Sequence, residues 1–298
     1  MDNLPYIGEM FALAAPLCWA FAVILFRKTG ETVPALALNL FKNILAMVLF
    51  VATLVALRPI PEQSVPGWHY LLLIVSGAIG IGVSDTLFFA TLNRVGAGLQ
   101  AIINTSYSPF IIFLSFLFLD EHLTAPQLFG VALILSAVLS VGWMGGPKGS
   151  LPRRTIATGV MLGVAATFTQ AVSIVMIKPI LGDYPVIWAN CWRLLGGLVA
   201  SVLLLPLLPQ RRRALATLRD LRVWPVMVPA AVIGTYISLL FWLGGMKYTL
   251  ASIAAALNQT ATLWTFLLAV LLLKEPASWR RIAGLFIGLG GVALVTFG

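Results

Sequence analysis

The 298-residue chain is 60% hydrophobic and only 10% charged, with a formal net charge of +9. A soluble globular domain carries about 25% charged residues, so this composition excludes a water-soluble protein. In a soluble protein the positive charge would suggest nucleic acid, but the positions of these bases indicate another role, and no nucleic-acid partner is expected. The composition predicts a protein that crosses the lipid bilayer several times.

Ten apolar stretches have the length of about 20 residues that a helix needs to cross about 30 Å of hydrocarbon. They lie at residues 8–26, 34–57, 69–92, 98–119, 126–144, 155–177, 185–208, 223–246, 249–273 and 278–297. The predicted fold class is therefore an all-α integral membrane protein with ten transmembrane helices.

Basic residues are distributed unevenly between these stretches. The loops after stretches 1, 3, 5, 7 and 9 contain 14 of the 19 Lys and Arg residues, against three in the other loops. By the positive-inside rule the basic loops face the cytoplasm and both termini lie outside, and we expect a bacterial inner (plasma) membrane. The richest loop, residues 210–222, is predicted either as a short helix on anionic lipid or as a solvated basic loop.

The second half of the chain repeats the first. Residues 8–45 align with residues 159–196 at an offset of 151, and later positions align at an offset of 154. Matched pairs are Pro34 and Pro185, Asn39 and Asn190, Lys42 and Arg193, Ser84 and Ser238, Asn104 and Asn258, and Glu121 and Glu275. Each half contains five stretches, and an odd number inverts the second half in the membrane. Residues 1–146 and 155–298 are thus predicted as two inverted five-helix repeats, an architecture of alternating-access transporters.

Short motifs add a family resemblance. Trp19 lies in the middle of stretch 1 and a base, Lys42, lies early in stretch 2. Stretch 4 ends in Leu119-Asp120-Glu121-His122-Leu123-Thr124, and the set recurs as Trp192-Arg193 and Leu273-Lys274-Glu275. The chain resembles the EamA-type branch of the drug/metabolite transporter superfamily over all ten stretches. The resemblance implies a midplane cavity lined by stretches 3, 4, 8 and 9, with help from 1, 2, 6 and 7, while 5 and 10 pack peripherally.

Polar side chains inside hydrocarbon are costly, so those within the stretches are the candidate substrate-binding residues. The candidate set, with three tryptophans that have polar neighbours, is Trp19, Asn39, Lys42, Ser84, Asp85, Gln100, Asn104, Tyr107, Gln170, Asn190, Arg193, Ser238, Trp242, Asn258, Gln259 and Trp264. The amides of stretches 4 and 9 fit two explanations. They form walls that offer hydrogen bonds to a polar substrate, or they make interhelical hydrogen bonds worth about 0.6 kcal/mol each.

Three candidates are ionisable. Lys42 and Asp85 both lie roughly 12–14 Å from the cytoplasmic ends of their helices, at about 1.5 Å per residue. They either form an ion pair, or Lys42 extends to the interface and Asp85 is neutral or solvated. Arg193 occupies the mirrored depth, but the position matched to Asp85 holds Leu239. An unpaired guanidinium is costly there, so Arg193 is predicted to anchor an anionic substrate group.

Two glycine patterns have structural explanations. Gly77-x-x-Gly80-x-Gly82 lies within an apolar stretch with no strand before it, which favours close packing or a flexing point over a dinucleotide site. Gly284-x-x-x-Gly288 with Gly290-Gly291 in stretch 10 predicts close helix packing, either inside the protein or between two copies. The oligomeric state stays open, and no cofactor or metal site is expected.

The pattern as a whole favours a secondary transporter of small polar or amphipathic metabolites, with export of amino acids or related compounds as the first substrate class. Alternatives are a drug or multidrug carrier, a carrier of nucleotide-type metabolites, and a membrane-embedded enzyme. A membrane-embedded enzyme is disfavoured because a catalytic set is not evident. The two histidines lie at helix ends, and only one carboxylate lies deep within a stretch. No ATP-binding loop occurs, so gradients are expected to drive transport.

Overall fold

The structure is a computed structural model that describes residues 6–61, 63–118, 124–142, 151–207, 211–248, 254, 257–275 and 277–297. Its apolar helices are α1 (Ile7–Thr29), α2 (Ala35–Leu57), α3 (Gly67–Val95), α4 (Ala97–Phe118), α5 (Ala125–Gly142), α6 (Arg153–Leu181), α7 (Val186–Leu204), α8 (Trp224–Tyr248), α9 (Thr260–Leu273) and α10 (Trp279–Phe297). Seven of them, α1 to α4 and α6 to α8, are long and apolar enough to cross a membrane. Helices are suited to the hydrocarbon interior of a membrane because they satisfy their own backbone hydrogen bonds.

The two halves of the chain interlock. Helix α1 packs against α8 and α9 of the second half, and α6 packs against α3 and α4 of the first half. Two apolar layers lie towards opposite ends of the bundle. One contains Ala15 of α1 and Ile174 of α6, and the other contains Ala22 of α1 and Ala166 of α6. Trp19 and Gln170 lie between these positions on their helices, so the middle of the bundle is where polar groups collect.

Helices α5 and α10 pack along each other. The glycines of α10 make this contact close, since a Cβ on Gly291 would lie 2.7 Å from the carbonyl oxygen of Gly130 and one on Gly288 would lie 3.6 Å from the Cβ of Ala137. Of the two explanations for this glycine pattern, the structure thus has packing within the chain.

Helix α4 is interrupted where the sequence predicts one continuous helix. It consists of Ala97–Asn104 and Tyr107–Phe118, joined by a turn at Thr105 and Ser106. Pro109 explains the break, because it has no N–H to donate to the carbonyl of Thr105 and its ring clashes with that carbonyl. A turn residue, Gln259, precedes α9 at the position 154 residues after Thr105. Discontinuous helices are typical of transporter binding sites.

Helices α3 and α8 each contain a π-helical segment. These segments are Ala78–Ser84 and Val232–Ile237, and their first residues are 154 positions apart. The sequence does not predict them. The first segment lies in the predicted glycine motif, whose Gly77 contacts the backbone carbonyl of Arg193, so α3 and α7 cross closely there. Wide turns of this kind are rare and occur frequently at functional sites.

The basic loop between α7 and α8 contains a surface helix, Arg211–Arg219, which packs against α2. The predicted helix is therefore present, with Arg211, Arg212 and Arg219 exposed. Residue 210 and Glu121, the counterpart of Glu275, lie outside the described residues. Glu275 itself follows α9 and accepts hydrogen bonds from the backbone N–H groups of Ala97 (2.8 Å) and Gly98 (3.0 Å) at the start of α4.

Candidate functional site

A cavity of about 120 Å³ lies in the middle of the bundle. At roughly 10–15 Å³ per water, it has room for on the order of ten water molecules, which is the size of a small metabolite. Its lining comes from α1 to α4, α6 to α9 and the residue just before the turn at Gln259. Eleven of the sequence-predicted residues line it: Trp19, Lys42, Ser84, Asp85, Asn104, Tyr107, Gln170, Arg193, Ser238, Trp242 and Asn258.

Lys42 and Asp85 form an ion pair on one side of the cavity. The Lys42 Nζ lies 2.7 Å from Oδ2 of Asp85 and 2.8 Å from Oδ1 of Asn43. Lys42 is 1% exposed, whereas the Asp85 side chain is 20% exposed. Of the two predicted arrangements, the structure thus has the ion pair, and Lys42 does not extend to the interface. The positive charge on this side of the cavity is already balanced.

Arg193 is completely buried and has different partners. Its Nε donates to Oγ of Ser76 (3.2 Å) and one terminal nitrogen, Nη2, donates to Oγ of Ser173 (3.0 Å). The guanidinium carbon also lies 5.8 Å from the ring centre of Trp242. The other terminal nitrogen, Nη1, is buried and has no hydrogen-bond partner among the described residues. Serine hydroxyls carry no charge, so the Arg193 charge is not balanced by them.

Three further polar atoms on cavity-lining residues are also buried and have no partner in the described parts of the chain. They are the hydroxyl of Tyr107 on α4, Oε1 of Gln170 on α6 and the hydroxyl of Thr235 on α8. Buried polar groups are nearly always hydrogen-bonded, so unpartnered ones beside a cavity indicate where a ligand or water binds. The cavity thus offers an unbalanced cation, two hydroxyls and an amide oxygen.

Five predicted residues do not line this cavity. The Asn39 amide instead donates to the carbonyls of Ile81 (2.8 Å) and Gly82 (3.0 Å) within the π-helical segment of α3. Asn190 donates over 3.5 Å to the carbonyl of Leu239. The remaining three are Gln259, which accepts a hydrogen bond from Thr262, Trp264, which is 43% exposed on the outside of the bundle, and Gln100, which lines a smaller pocket beside the cavity.

Sequence reasoning missed several hydroxyl groups at the site. Thr167 and Thr235 line the cavity, and Ser76 and Ser173 hold Arg193. Ser and Thr in apolar helices usually bond to their own preceding turn, so their presence alone does not signal a site. Their matched positions in the other repeat offer a usable signal, because Ser76 and Ser173 correspond to Ala230 and Ala22.

No group of three or more His, Cys, Asp or Glu residues that could hold a metal ion occurs in the described parts of the chain. The residues that line the cavity offer hydrogen bonds, the positive charge of Arg193 and the aromatic faces of Trp19 and Trp242.

Comparisons with known proteins agree with this architecture. The model of a family described as the EamA-like transporter family matches residues 6–143 and again residues 157–297. The chain is 23% identical over 286 residues to an uncharacterized transporter of Archaeoglobus fulgidus, covering 96% of each chain. It is 26% identical over 253 residues to a Streptantibioticus cattleyicolor protein named "Probable terminal-alkyne amino-acid exporter", covering 82% of this chain and 79% of the relative. One crystal structure has the same fold, with a TM-score of 0.68 and 17% identity over 97% of this chain and 96% of its own.

Proposed function

Because this chain belongs to the EamA-like transporter family, we propose that it is a secondary carrier that exports amino acids or related compounds. It works by alternating access between two inverted repeats of five transmembrane helices, residues 1–146 and 155–298. Three observations support the substrate class: the cavity has the size of a small metabolite, the deep cation beside it forms no ion pair with an acid among the described residues, and a relative carries the name of an amino-acid exporter.

Arg193 carries this proposal. Its Nη1 and the Tyr107 hydroxyl are donors without an acceptor in the part of the chain that the structure describes, and both residues line the cavity. A carboxylate accepts hydrogen bonds from a guanidinium with matched geometry and supplies the charge that Ser76 and Ser173 lack. The α-carboxylate of the substrate therefore binds Arg193. A substrate without an anionic group leaves the cation unbalanced.

The test compares a carboxylate substrate with its amide in proteoliposomes. Arg193→Lys keeps the charge but loses the planar fork, so the affinity for amino acids should fall about tenfold or more, while that for amino-acid amides changes little. Lys42→Arg is the matched control, because it alters the repeat-matched base whose charge Asp85 already balances. It should leave the ratio of acid to amide affinity unchanged.

Two results would assign Arg193 to holding α7 in place instead of binding substrate. One is an equal loss of affinity for acids and amides in Arg193→Lys. The other is loss of folded protein in both Arg193→Lys and Arg193→Gln, measured by size-exclusion chromatography.

We further propose that the carrier resides in a bacterial inner membrane with both termini outside and the surface helix in the cytoplasm. The distribution of basic residues supports this orientation. Single cysteines at the exposed positions Ala216 and Ser64, in a background lacking Cys18 and Cys191, test it with an impermeant thiol reagent. Intact cells should label position 64 and not position 216, and the reverse pattern would invert the orientation.

A further inference from the structure

A second, smaller pocket adjoins the central cavity. Its volume is about 10 Å³, enough for one water-sized group. Trp19, Phe88 and Asn104 line both spaces, so the pocket is a side chamber of the cavity and not a separate site. A substrate anchored in the cavity can extend one small group into it.

Gln100 is the unusual residue of this side chamber. It is 1% exposed, and both its amide oxygen and its amide nitrogen are buried without a hydrogen-bond partner among the described residues. It lies one helical turn from Asn104, so both side chains lie on the same face of α4. A buried primary amide with no partner is costly, and a bound polar group would satisfy it.

The repeat indicates that the scaffold does not need an amide at this position. The residue matched to Gln100 is Ala254, which is 2% exposed and packs in one of the two apolar layers. The same helix environment is thus filled by a small apolar side chain in the other half. Gln100 belongs to the features that differ between the halves, as Arg193 with its serines does.

The chemistry of the side chamber selects its occupant. None of the described residues that line it is charged, so a charged group there would be unpaired in a low-dielectric site. Gln100 offers both a donor and an acceptor, and Thr262 and Thr265 add hydroxyl groups to the wall. A neutral group that both donates and accepts, and that has the size of one water, is a hydroxyl.

We propose that the side chamber binds a hydroxyl on the substrate's side chain and that Gln100 determines the preference for hydroxylated amino acids. This inference rests on the proposed function, in which Arg193 holds the α-carboxylate. The substrate then spans two levels of α6, since Arg193 donates to Ser173 and the amide oxygen of Gln100 lies 3.5 Å from where a Cβ on Gly163 would be. At about 1.5 Å per residue these levels are roughly 15 Å apart, so the hydroxyl must lie at the far end of a long side chain, as in tyrosine.

L-Tyrosine and L-phenylalanine are the probes, since they have the same ring and differ only by a terminal hydroxyl. In proteoliposome competition assays the wild-type carrier should prefer tyrosine about tenfold or more, because a site built for a hydroxyl rejects the analogue that lacks it. Gln100→Met keeps the side-chain length but removes the amide. It should reduce the preference to about twofold or less, with phenylalanine transport retained.

Thr265→Val is a second variant that keeps the shape of the side chamber and leaves Gln100 intact. It should reduce the tyrosine preference in part, so the test remains decisive if Gln100→Met does not fold. Equal affinities for tyrosine and phenylalanine in the wild type, or an unchanged preference in every folded variant, would overturn the side-chamber proposal alone. Absence of any amino-acid transport by the wild type would instead overturn the proposed function.

Discussion

Lys42 and Arg193 occupy matched positions in the two repeats, and both line the cavity, but their surroundings are opposite. Lys42 is paired with Asp85 and Asn43. The matched positions near Arg193 hold Leu239 and Leu194. Arg193 is held by Ser76 and Ser173, whose matched positions hold Ala230 and Ala22.

The different partners of Lys42 and Arg193 give these two matched bases different roles. A base with its own carboxylate is neutral as a pair and contributes structure. A base held only by hydroxyls is positioned but keeps its charge, which leaves it free to bind an anion. The comparison therefore predicts that variants of the first base affect folding and variants of the second affect substrate selection.

The largest expected effect comes from making the first half resemble the second. Asp85→Leu leaves the buried Lys42 without its acid, which should reduce the free energy of unfolding by about 3–5 kcal/mol. Thermal unfolding of purified protein in detergent measures this. Combining it with Lys42→Met should restore most of the stability, since an apolar pair replaces a buried ion pair at little cost. A double variant as unstable as the single one would contradict the ion-pair role.

Asn39 and Asn190 occupy matched positions, and their hydrogen bonds to backbone carbonyls test the same contrast between the two repeats. Asn39→Leu removes the amide donor to the carbonyl of Ile81, whereas the carbonyl of Gly82 keeps the hydroxyl of Thr86 as a donor. The change should cost about 1–3 kcal/mol. Asn190→Leu removes a single long hydrogen bond of 3.5 Å and should cost clearly less. The thermal unfolding midpoints of both variants measure this difference in stability. Equal losses would mean that Asn39 does not specifically support the π-helical segment.

An acid can also be supplied to the second base. Leu239→Asp places a carboxylate at the position matched to Asp85, where it should pair with Arg193 and compete with the substrate carboxylate. Affinity for carboxylate substrates should fall about tenfold, which is 1.4 kcal/mol, with folded yield preserved. Binding measured by thermal shift provides the comparison, and unchanged affinity would separate Arg193 from the substrate.

A smaller effect on stability is expected for Asp85→Asn. The amide oxygen still accepts a hydrogen bond from Lys42 but carries no charge, so the loss of unfolding free energy should be smaller than that of Asp85→Leu. Thermal unfolding of both variants measures this. Equal losses would mean that the charge of Asp85, and not its hydrogen bond, stabilises Lys42.

Much of the helical arrangement follows from hydrophobicity alone. The stretch predicted at 8–26 is helix α1 at Ile7–Thr29, and the one predicted at 185–208 is helix α7 at Val186–Leu204. The π-helical segments could not be predicted, because a wide turn depends on contacts from other helices, such as the Asn39 amide on the carbonyl of Ile81.

Charge identified three of the cavity-lining residues from the sequence. Lys42, Asp85 and Arg193 are so costly inside hydrocarbon that position alone marks them as candidates, and all three line the cavity. Trp264 shows where this reasoning fails, because an aromatic ring is as stable facing lipid as facing a cavity. Ser173 was missed for the opposite reason. Its hydroxyl accepts a hydrogen bond from the guanidinium of Arg193 on another helix, and the sequence does not show that contact.

The π-helical segments also bear on the history of the chain. Since both begin at equivalent positions, the simplest account is that the wide turn existed in a single ancestral unit before that unit was duplicated. It has been kept in both descendants although their bases diverged. Deleting one residue from Ala78–Ser84 would turn everything after it by about 100° around the helix axis and carry Asp85 away from Lys42. The extra residue thus fixes the angular position of every later side chain on α3.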